Sequence, residues 1–177
     1  VASAAFAYAV MSFLMTATPI NMHIMENYSL NKTGIVIQLH IVSMFLPSLI
    51  TGNLLKKFGH SKVIYAGVGF YTLTILLSFL EPSFFNYILA LVFLGIGWNF
   101  LYLSGTGLLV LSYKQEEKFK AQGFNDIIVF SIQALASLSA GYMLSVTNWK
   151  TMNLIAIPFL ILIIYSSIRA DLSKVSR

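Results

Sequence analysis

GNLLKKFGHSK, residues 52–62, is a short basic segment between two long apolar runs at residues 33–55 and 63–80. Each run is about long enough to cross a hydrocarbon core of about 30 Å as a helix. Lysine side chains need water, so the segment is predicted to be a turn between two membrane helices. Because lysine and arginine are retained in the cytoplasm during insertion, the turn is predicted to be cytoplasmic, which sets the direction of every other span.

The composition is that of a membrane protein. Of the 177 residues, 58% are hydrophobic and only 10% are charged, and the mean hydropathy is +0.81. Such a chain has too little polar surface for an ordinary soluble domain. The net charge of +5 lies in short loops rather than on one basic face, so no nucleic-acid partner is expected. The chain has no cysteine, which excludes disulfides and thiolate metal sites within it.

Apolar runs separated by polar turns predict an all-α integral membrane protein. Six spans are predicted, at about residues 1–25, 33–55, 63–80, 85–111, 123–146 and 152–168. They form one six-helix transmembrane bundle, a single domain over residues 1–177, in contact with the lipid bilayer. The chain opens directly into apolar sequence at Val1, without an initiator methionine, so we expect it to be a piece of a longer chain.

The basic residues fall unequally on the two sides of these spans, as a correct placement requires. Nine lie on the side of the basic segment: Lys56, Lys57, Lys62, Lys114, Lys118, Lys120, Arg169, Lys174 and Arg177. Against these nine, only Lys32 and Lys150 lie on the other side. Both termini are therefore predicted to be cytoplasmic.

The basic segment resembles the loop signature of the major facilitator superfamily, Gly-x-x-x-Asp-Arg-x-Gly-Arg-Arg/Lys. Gly52, Lys57, Gly59 and Lys62 occupy its glycine and basic positions. Lys56 stands where the family usually has Asp. An Asp there can favourably meet a helix N-terminus, whereas a lysine would be repelled by it.

Further segments resemble, in the right order, the second half of a bacterial subgroup of that family. They are residues 15–19, 37–40, 44–48, 97–101 and 125–126. The resemblance implies the C-terminal half of a twelve-helix fold, in which two groups of three helices form an inverted repeat. It also implies a bacterial inner-membrane protein that moves a small solute by alternating access, as a secondary transporter with or without proton coupling, together with a missing N-terminal six-helix half.

His40 is the most informative candidate for the solute or proton pathway. It lies inside the second predicted span, where an ionisable side chain is expensive unless it faces protein or a water-filled cavity. Its imidazole can gain and lose a proton near physiological pH, as proton coupling requires. The alternative is a neutral histidine that bonds a neighbouring helix and holds the packing.

Four more polar or amphipathic residues are candidates for the same pathway: Gln38, Trp98, Asn99 and Gln133. Asn99 and Gln133 fall near the middle of their spans, the depth at which such transporters bind solute. Each amide can orient a polar solute or bond a neighbouring helix, and both alternatives stay open. Gln38 and His40 point to different sectors of one helix, so they need not form one site.

Asn125 and Asp126 are predicted at the cytoplasmic start of the fifth span. A side-chain oxygen there accepts the unpaired N–H groups of the first helical turn, so the pair is predicted to cap the helix. A gating salt bridge from Asp126 to a cytoplasmic lysine is the functional alternative.

The sequence contains no phosphate-binding loop, metal-ligand spacing or serine nucleophile with a placed base. An enzyme is therefore not expected, and neither a catalytic residue, a metal nor a cofactor is predicted. Two alternatives to the half-transporter remain: a self-contained six-helix protein that dimerises into a transporter, and a membrane assembly subunit without transport.

Overall fold

The computed structural model describes residues 1–175, with side chains described for residues 1–170, and the regular secondary structure of this part of the chain is all helical. The predicted tail residues Lys174 and Arg177 have side chains outside the described part. The α-helices of residues 1–175 are α1 Ala2–Ile20, α2 Leu30–Phe45, α3 Ser48–Phe58, α4 His60–Leu77, α5 Phe84–Val110, α6 Lys118–Val146 and α7 Trp149–Val175.

Most of the predicted spans correspond to helices that can cross a membrane. Among the described residues, four segments are long and apolar enough: Ala2–Met25, Phe84–Val110, Gln115–Val146 and Trp149–Ala170. The pair α2 and α3, bent by 40°, makes a fifth if it is counted as one span. The remaining predicted span, 63–80, corresponds to α4, whose first turn holds His60 and Lys62 and which does not meet the same criterion.

The predicted span 33–55 is broken rather than straight. α2 ends at Phe45 and α3 begins at Ser48, with Pro47 at the break. Proline has no N–H to donate to the carbonyl four residues earlier, and its ring crowds that carbonyl. The bend is therefore explained by Pro47.

The basic segment is helical, and its turn is a single residue. α3 runs to Phe58, α4 begins at His60, and Gly59 joins them with φ of +82°. A residue with a Cβ is strained at such a φ, which explains a glycine at this position. Lys56 lies in the last turn of α3, where the negative end of that helix's own dipole favours a cation. The repulsion from the N-terminus of a helix stays a prediction.

α1 and α5 lie at the centre of the bundle. α5 packs mainly against α4 and α2, and α1 packs mainly against α6. Further contacts join α1 to α5, α1 to α7 and α4 to α7. α2 and α6 flank this centre and leave large apolar side chains exposed, among them Phe45 at 60% and Leu138 at 82%.

Glycines bring the backbones of α4 and α5 together. A Cβ added to Gly97 would lie 2.5 Å from Cδ1 of Tyr71 and 3.0 Å from the carbonyl oxygen of Gly67. The Tyr71 hydroxyl donates to the carbonyl oxygen of Ala7 at 2.7 Å and so ties α4 to α1. This close packing holds α5 in a fixed position relative to α1.

Candidate solute site

His40 lies in the contact between α2 and α5 and is fully buried. Its Nδ1 is 2.7 Å from the carbonyl oxygen of Leu91. A carbonyl only accepts, so Nδ1 carries the proton of this bond, and Nε2 is the acceptor nitrogen of the neutral ring. In the described part of the chain, Nε2 has no hydrogen-bond partner.

The backbones of α2 and α5 come close together next to His40. A Cβ added to Gly95 would overlap the Oγ of Ser43 and lie 2.8 Å from the carbonyl oxygen of His40. The Ser43 hydroxyl donates to that same carbonyl at 2.7 Å. The His40 ring is thus held by a backbone carbonyl of α5, and the His40 carbonyl by the Ser43 hydroxyl on its own helix.

Asn99 braces the bend between α2 and α3. Its Nδ2 donates to the carbonyl oxygen of Met44 and to the Oγ of Ser48, both at 2.7 Å. Its Oδ1 accepts from the Thr51 hydroxyl at 2.7 Å. Asn99 is 1% exposed, and these bonds engage both its oxygen and its nitrogen. It therefore supplies the Met44 carbonyl with a donor at the break beside Pro47.

Five aromatic rings from four helices meet near the middle of the bundle: Tyr8 of α1, Phe45 of α2, Trp98 and Tyr102 of α5, and Phe130 of α6. We call them the aromatic cluster. Trp98 and Tyr102 stack with ring centroids 5.0 Å apart. Tyr8 meets Trp98 edge-on at 5.2 Å and contacts Phe130 at 5.9 Å. Phe45 closes the other side, 6.1 Å from Trp98.

The cluster is buried at its centre and open at its sides. Trp98 is 6% exposed, whereas Phe45 is 60% and Phe130 is 49% exposed. Trp98 Nε1 has no hydrogen-bond partner among the described residues. The rings thus lie on one face of the bundle. The rings of α1 and α5 are in the middle of this face, and those of α2 and α6 are at its edges.

A polar cavity of about 180 Å³ lies between α5 and α6. We call it the polar cavity, and its lining residues are Thr106, Leu109, Val110, Gln122, Asn125 and Asp126. Asn125 is 3% exposed, its Nδ2 donates to Asp126 Oδ1 at 3.1 Å, and its Oδ1 has no partner in the described structure. This unpaired acceptor inside a cavity is the kind of group that a solute can satisfy.

The predicted cap at Asn125 and Asp126 is wrong. α6 begins at Lys118, so both residues lie well inside the helix and cannot reach the N–H groups of its first turn. The helix starts early because residues 118–122 include lysine, alanine and glutamine, which favour helix despite their polarity. The gating role of Asp126 stays a prediction.

The other predicted site residues lie at different distances from the aromatic cluster. Trp98 is part of it. Gln133 is half-buried one turn after Phe130 on α6, and the exposed Gln38 lies two turns before Phe45 on α2, so each shares a face with a cluster member. His40 and Asn99 instead lie in helix contacts. Within the described residues, no group of His, Cys, Asp or Glu is placed to hold a metal ion.

Sequence reasoning missed four cluster members: Tyr8, Phe45, Tyr102 and Phe130. A single aromatic residue in an apolar span looks like one that faces lipid. The available signal was the spacing of Trp98 and Tyr102, which puts two large rings on one face of a helix.

Comparison with known proteins places these observations in a family. The family model described as Major Facilitator Superfamily matches residues 1–173. The riboflavin transporter RfnT of Brucella anthropi is 37% identical over 167 residues, which are 93% of this chain and 41% of that protein. Two uncharacterized MFS-type transporters of Bacillus subtilis, YddS and YdeG, are 34% and 32% identical over 82% of this chain and 34% of their own length. No solved structure gives a significant match.

Proposed function

Because this chain belongs to the major facilitator superfamily, we propose that it is the C-terminal six-helix half of a secondary transporter that moves a small solute by alternating access. The family is one of membrane transporters and not of enzymes. The observation that carries the proposal is the family match over residues 1–173. The bacterial relatives support an inner-membrane location.

The proposed inverted repeat pairs α1, the bent pair α2 and α3, and α4 with α5, α6 and α7, respectively. The helix contacts support it. Exchange of the two groups converts the α1–α6 contact into α5–α2, and the α1–α7 contact into α5–α4, and all of these contacts occur. The α1–α5 and α4–α7 contacts are each converted into themselves, as expected for elements related by a pseudo-two-fold axis.

The proposed partner is an N-terminal six-helix half of the same protein. The chain spans 41% of the riboflavin transporter and 34% of each Bacillus relative, which leaves room for such a half. The exposed apolar side chains of α2 and α6 also need a covering surface, either lipid or protein. A whole reading frame that encodes only these six spans would instead favour the dimeric or assembly alternative.

We propose riboflavin as the first solute to test. The relative named as a riboflavin transporter is 37% identical over 93% of the chain, and the aromatic cluster offers ring faces for a flat solute. The whole reading frame, expressed in bacteria that neither make nor import riboflavin, should restore growth on riboflavin and radiolabelled uptake above an empty vector. Absence of both, with the protein present in the membrane, would reject this solute.

The orientation gives the first structural prediction. Lys57→Cys and Lys150→Cys are introduced singly in a background without other cysteines, which this chain itself already provides. In intact cells an impermeant thiol reagent should label position 150 and spare position 57, because the basic loops are cytoplasmic. Labelling of position 57 but not of position 150 would reverse the proposed topology.

His40 is the proposed proton carrier of this half, if transport is coupled to protons. His40→Gln preserves a donor for the Leu91 carbonyl and removes the charge change. Accumulation driven by a pH gradient in vesicles should then fall at least tenfold, while solute exchange without a gradient continues. Equal loss of accumulation, exchange and folded protein would assign His40 to packing instead, and full gradient-driven accumulation would remove it from the proton pathway.

A further inference from the structure

The aromatic cluster and the polar cavity lie along one strip between α5 and α6. On α5, Trp98, Tyr102 and Thr106 follow at a spacing of four residues and so lie on one side of the helix. On α6, Phe130 of the cluster is four residues from Asp126 of the cavity. At about 1.5 Å per residue, the strip is about 12 Å long from Trp98 to Thr106, the size of one small organic molecule.

The upper part of the strip, which is the aromatic cluster, is suited to bind a flat aromatic ring. Trp98 and Tyr102 are stacked in near-parallel planes, 9° apart, and Tyr8 stands almost perpendicular to both. Exposed Phe45 and Phe130 flank them and have surface free for a further ring. Aromatic side chains with free faces bind flat rings by stacking, with little dependence on the substituents of the ring.

The lower part of the strip, which is the polar cavity, is rich in hydrogen-bond acceptors. The Thr106 hydroxyl donates to the Tyr102 carbonyl at 2.8 Å, and Gln122 Nε2 donates to the Tyr113 hydroxyl at 2.7 Å. The Asn125 amide donates to Asp126, as described above, and leaves its own oxygen unpaired. Oxygen atoms and one carboxylate therefore remain for a bound molecule, together with the second N–H of the Gln122 and Asn125 amides, so hydroxyl groups, which both donate and accept, match this part of the strip.

We propose that this strip is a two-part solute site, in which the aromatic cluster stacks on a flat aromatic ring and the polar cavity binds hydroxyl groups attached to that ring. Asp126 selects against anionic groups, because a second negative charge placed beside its carboxylate is repelled. The site rests on the proposed transport function, but it names the solute class independently of riboflavin.

Binding to the purified full-length protein tests the site directly. The probes are two ring compounds with hydroxyl-bearing chains, riboflavin and adenosine, their 5′-phosphate esters, and ribitol, which has hydroxyls and no ring. We expect at least one ring compound to raise the unfolding temperature, with its phosphate ester and ribitol at least tenfold weaker in apparent affinity. Equal binding of the ester or of ribitol, or no binding by any probe, would overturn the site.

Two variants test the two parts separately. Phe130→Leu should lower the affinity for the ring compound about tenfold. The matched control is Phe124→Leu, at an exposed phenylalanine of α6 outside the cluster, and it should leave that affinity unchanged. Asp126→Asn keeps an acceptor and removes the charge, so it should reduce the discrimination against the phosphate ester about tenfold. Equal effects of Phe130→Leu and Phe124→Leu, or unchanged discrimination in Asp126→Asn, would contradict the proposal.

The outcomes distinguish this site from the transport function itself. If Phe130→Leu leaves riboflavin uptake unchanged, the transport function stands and the strip is rejected as the solute site. Selective binding of adenosine without any riboflavin uptake would retain the strip and reject riboflavin as the solute.

Discussion

Replacement of Gly95 with alanine is expected to lower the free energy of unfolding by about 3 kcal/mol and to reduce the folded protein in the membrane several-fold. The added Cβ would overlap the Ser43 hydroxyl oxygen and lie 2.8 Å from the His40 carbonyl oxygen and 3.0 Å from the Met44 nitrogen. Two of these three atoms belong to the backbone, so no side-chain rotation relieves the contact. α2 must move away from α5.

Gly69→Ala is the matched control. Gly69 also lies inside a helix, α4, but an added Cβ there meets nothing within 4 Å. Alanine favours helix more than glycine does, so this control should be neutral or slightly stabilising. Thermal unfolding in detergent and the amount of folded protein in membranes measure both variants. Equal stability of Gly95→Ala and Gly69→Ala would mean that α2 and α5 are not in close contact at this depth.

The sequence predicts helices well where a local signal marks their ends. The predicted span 85–111 is observed as Phe84–Val110, because Pro82 lies in the turn before this helix and the Ser83 hydroxyl caps it by accepting from the Asn86 N–H. The start of α6 has no such signal. Its first residues are polar and resemble a loop, although they continue the helix.

The site was less predictable, because it depends on which helices become neighbours. Tyr8 and Trp98 are far apart in the chain, and helical periodicity says nothing about the contact between α1 and α5 that joins them. Asn99 shows the same limit. Its amide was equally compatible with a solute and with a neighbouring helix until the bend at Pro47 placed the Met44 carbonyl beside it.

Replacement of Asn99 with leucine is expected to lower the free energy of unfolding by about 2 kcal/mol. Leucine has a similar size but leaves the Met44 carbonyl, the Ser48 hydroxyl and the Thr51 hydroxyl without the partners that Asn99 supplies. Asn86→Leu is the control on the same helix. It removes a bond to the Glu81 carbonyl at an exposed position, where water can replace it, so its effect should be well under half as large.

A double-mutant cycle with Pro47→Ala shows whether Asn99 braces the bend. Alanine at position 47 restores a backbone N–H and lets the helix straighten, so the Ser48 N–H can reach the Met44 carbonyl again. Asn99→Leu should then destabilise the protein by about 1 kcal/mol less than in the presence of Pro47. Additive effects would show that Asn99 does not act through the bend. A raised KM with unchanged unfolding temperature in Asn99→Leu would place Asn99 in contact with the solute instead, because a brace acts on stability first.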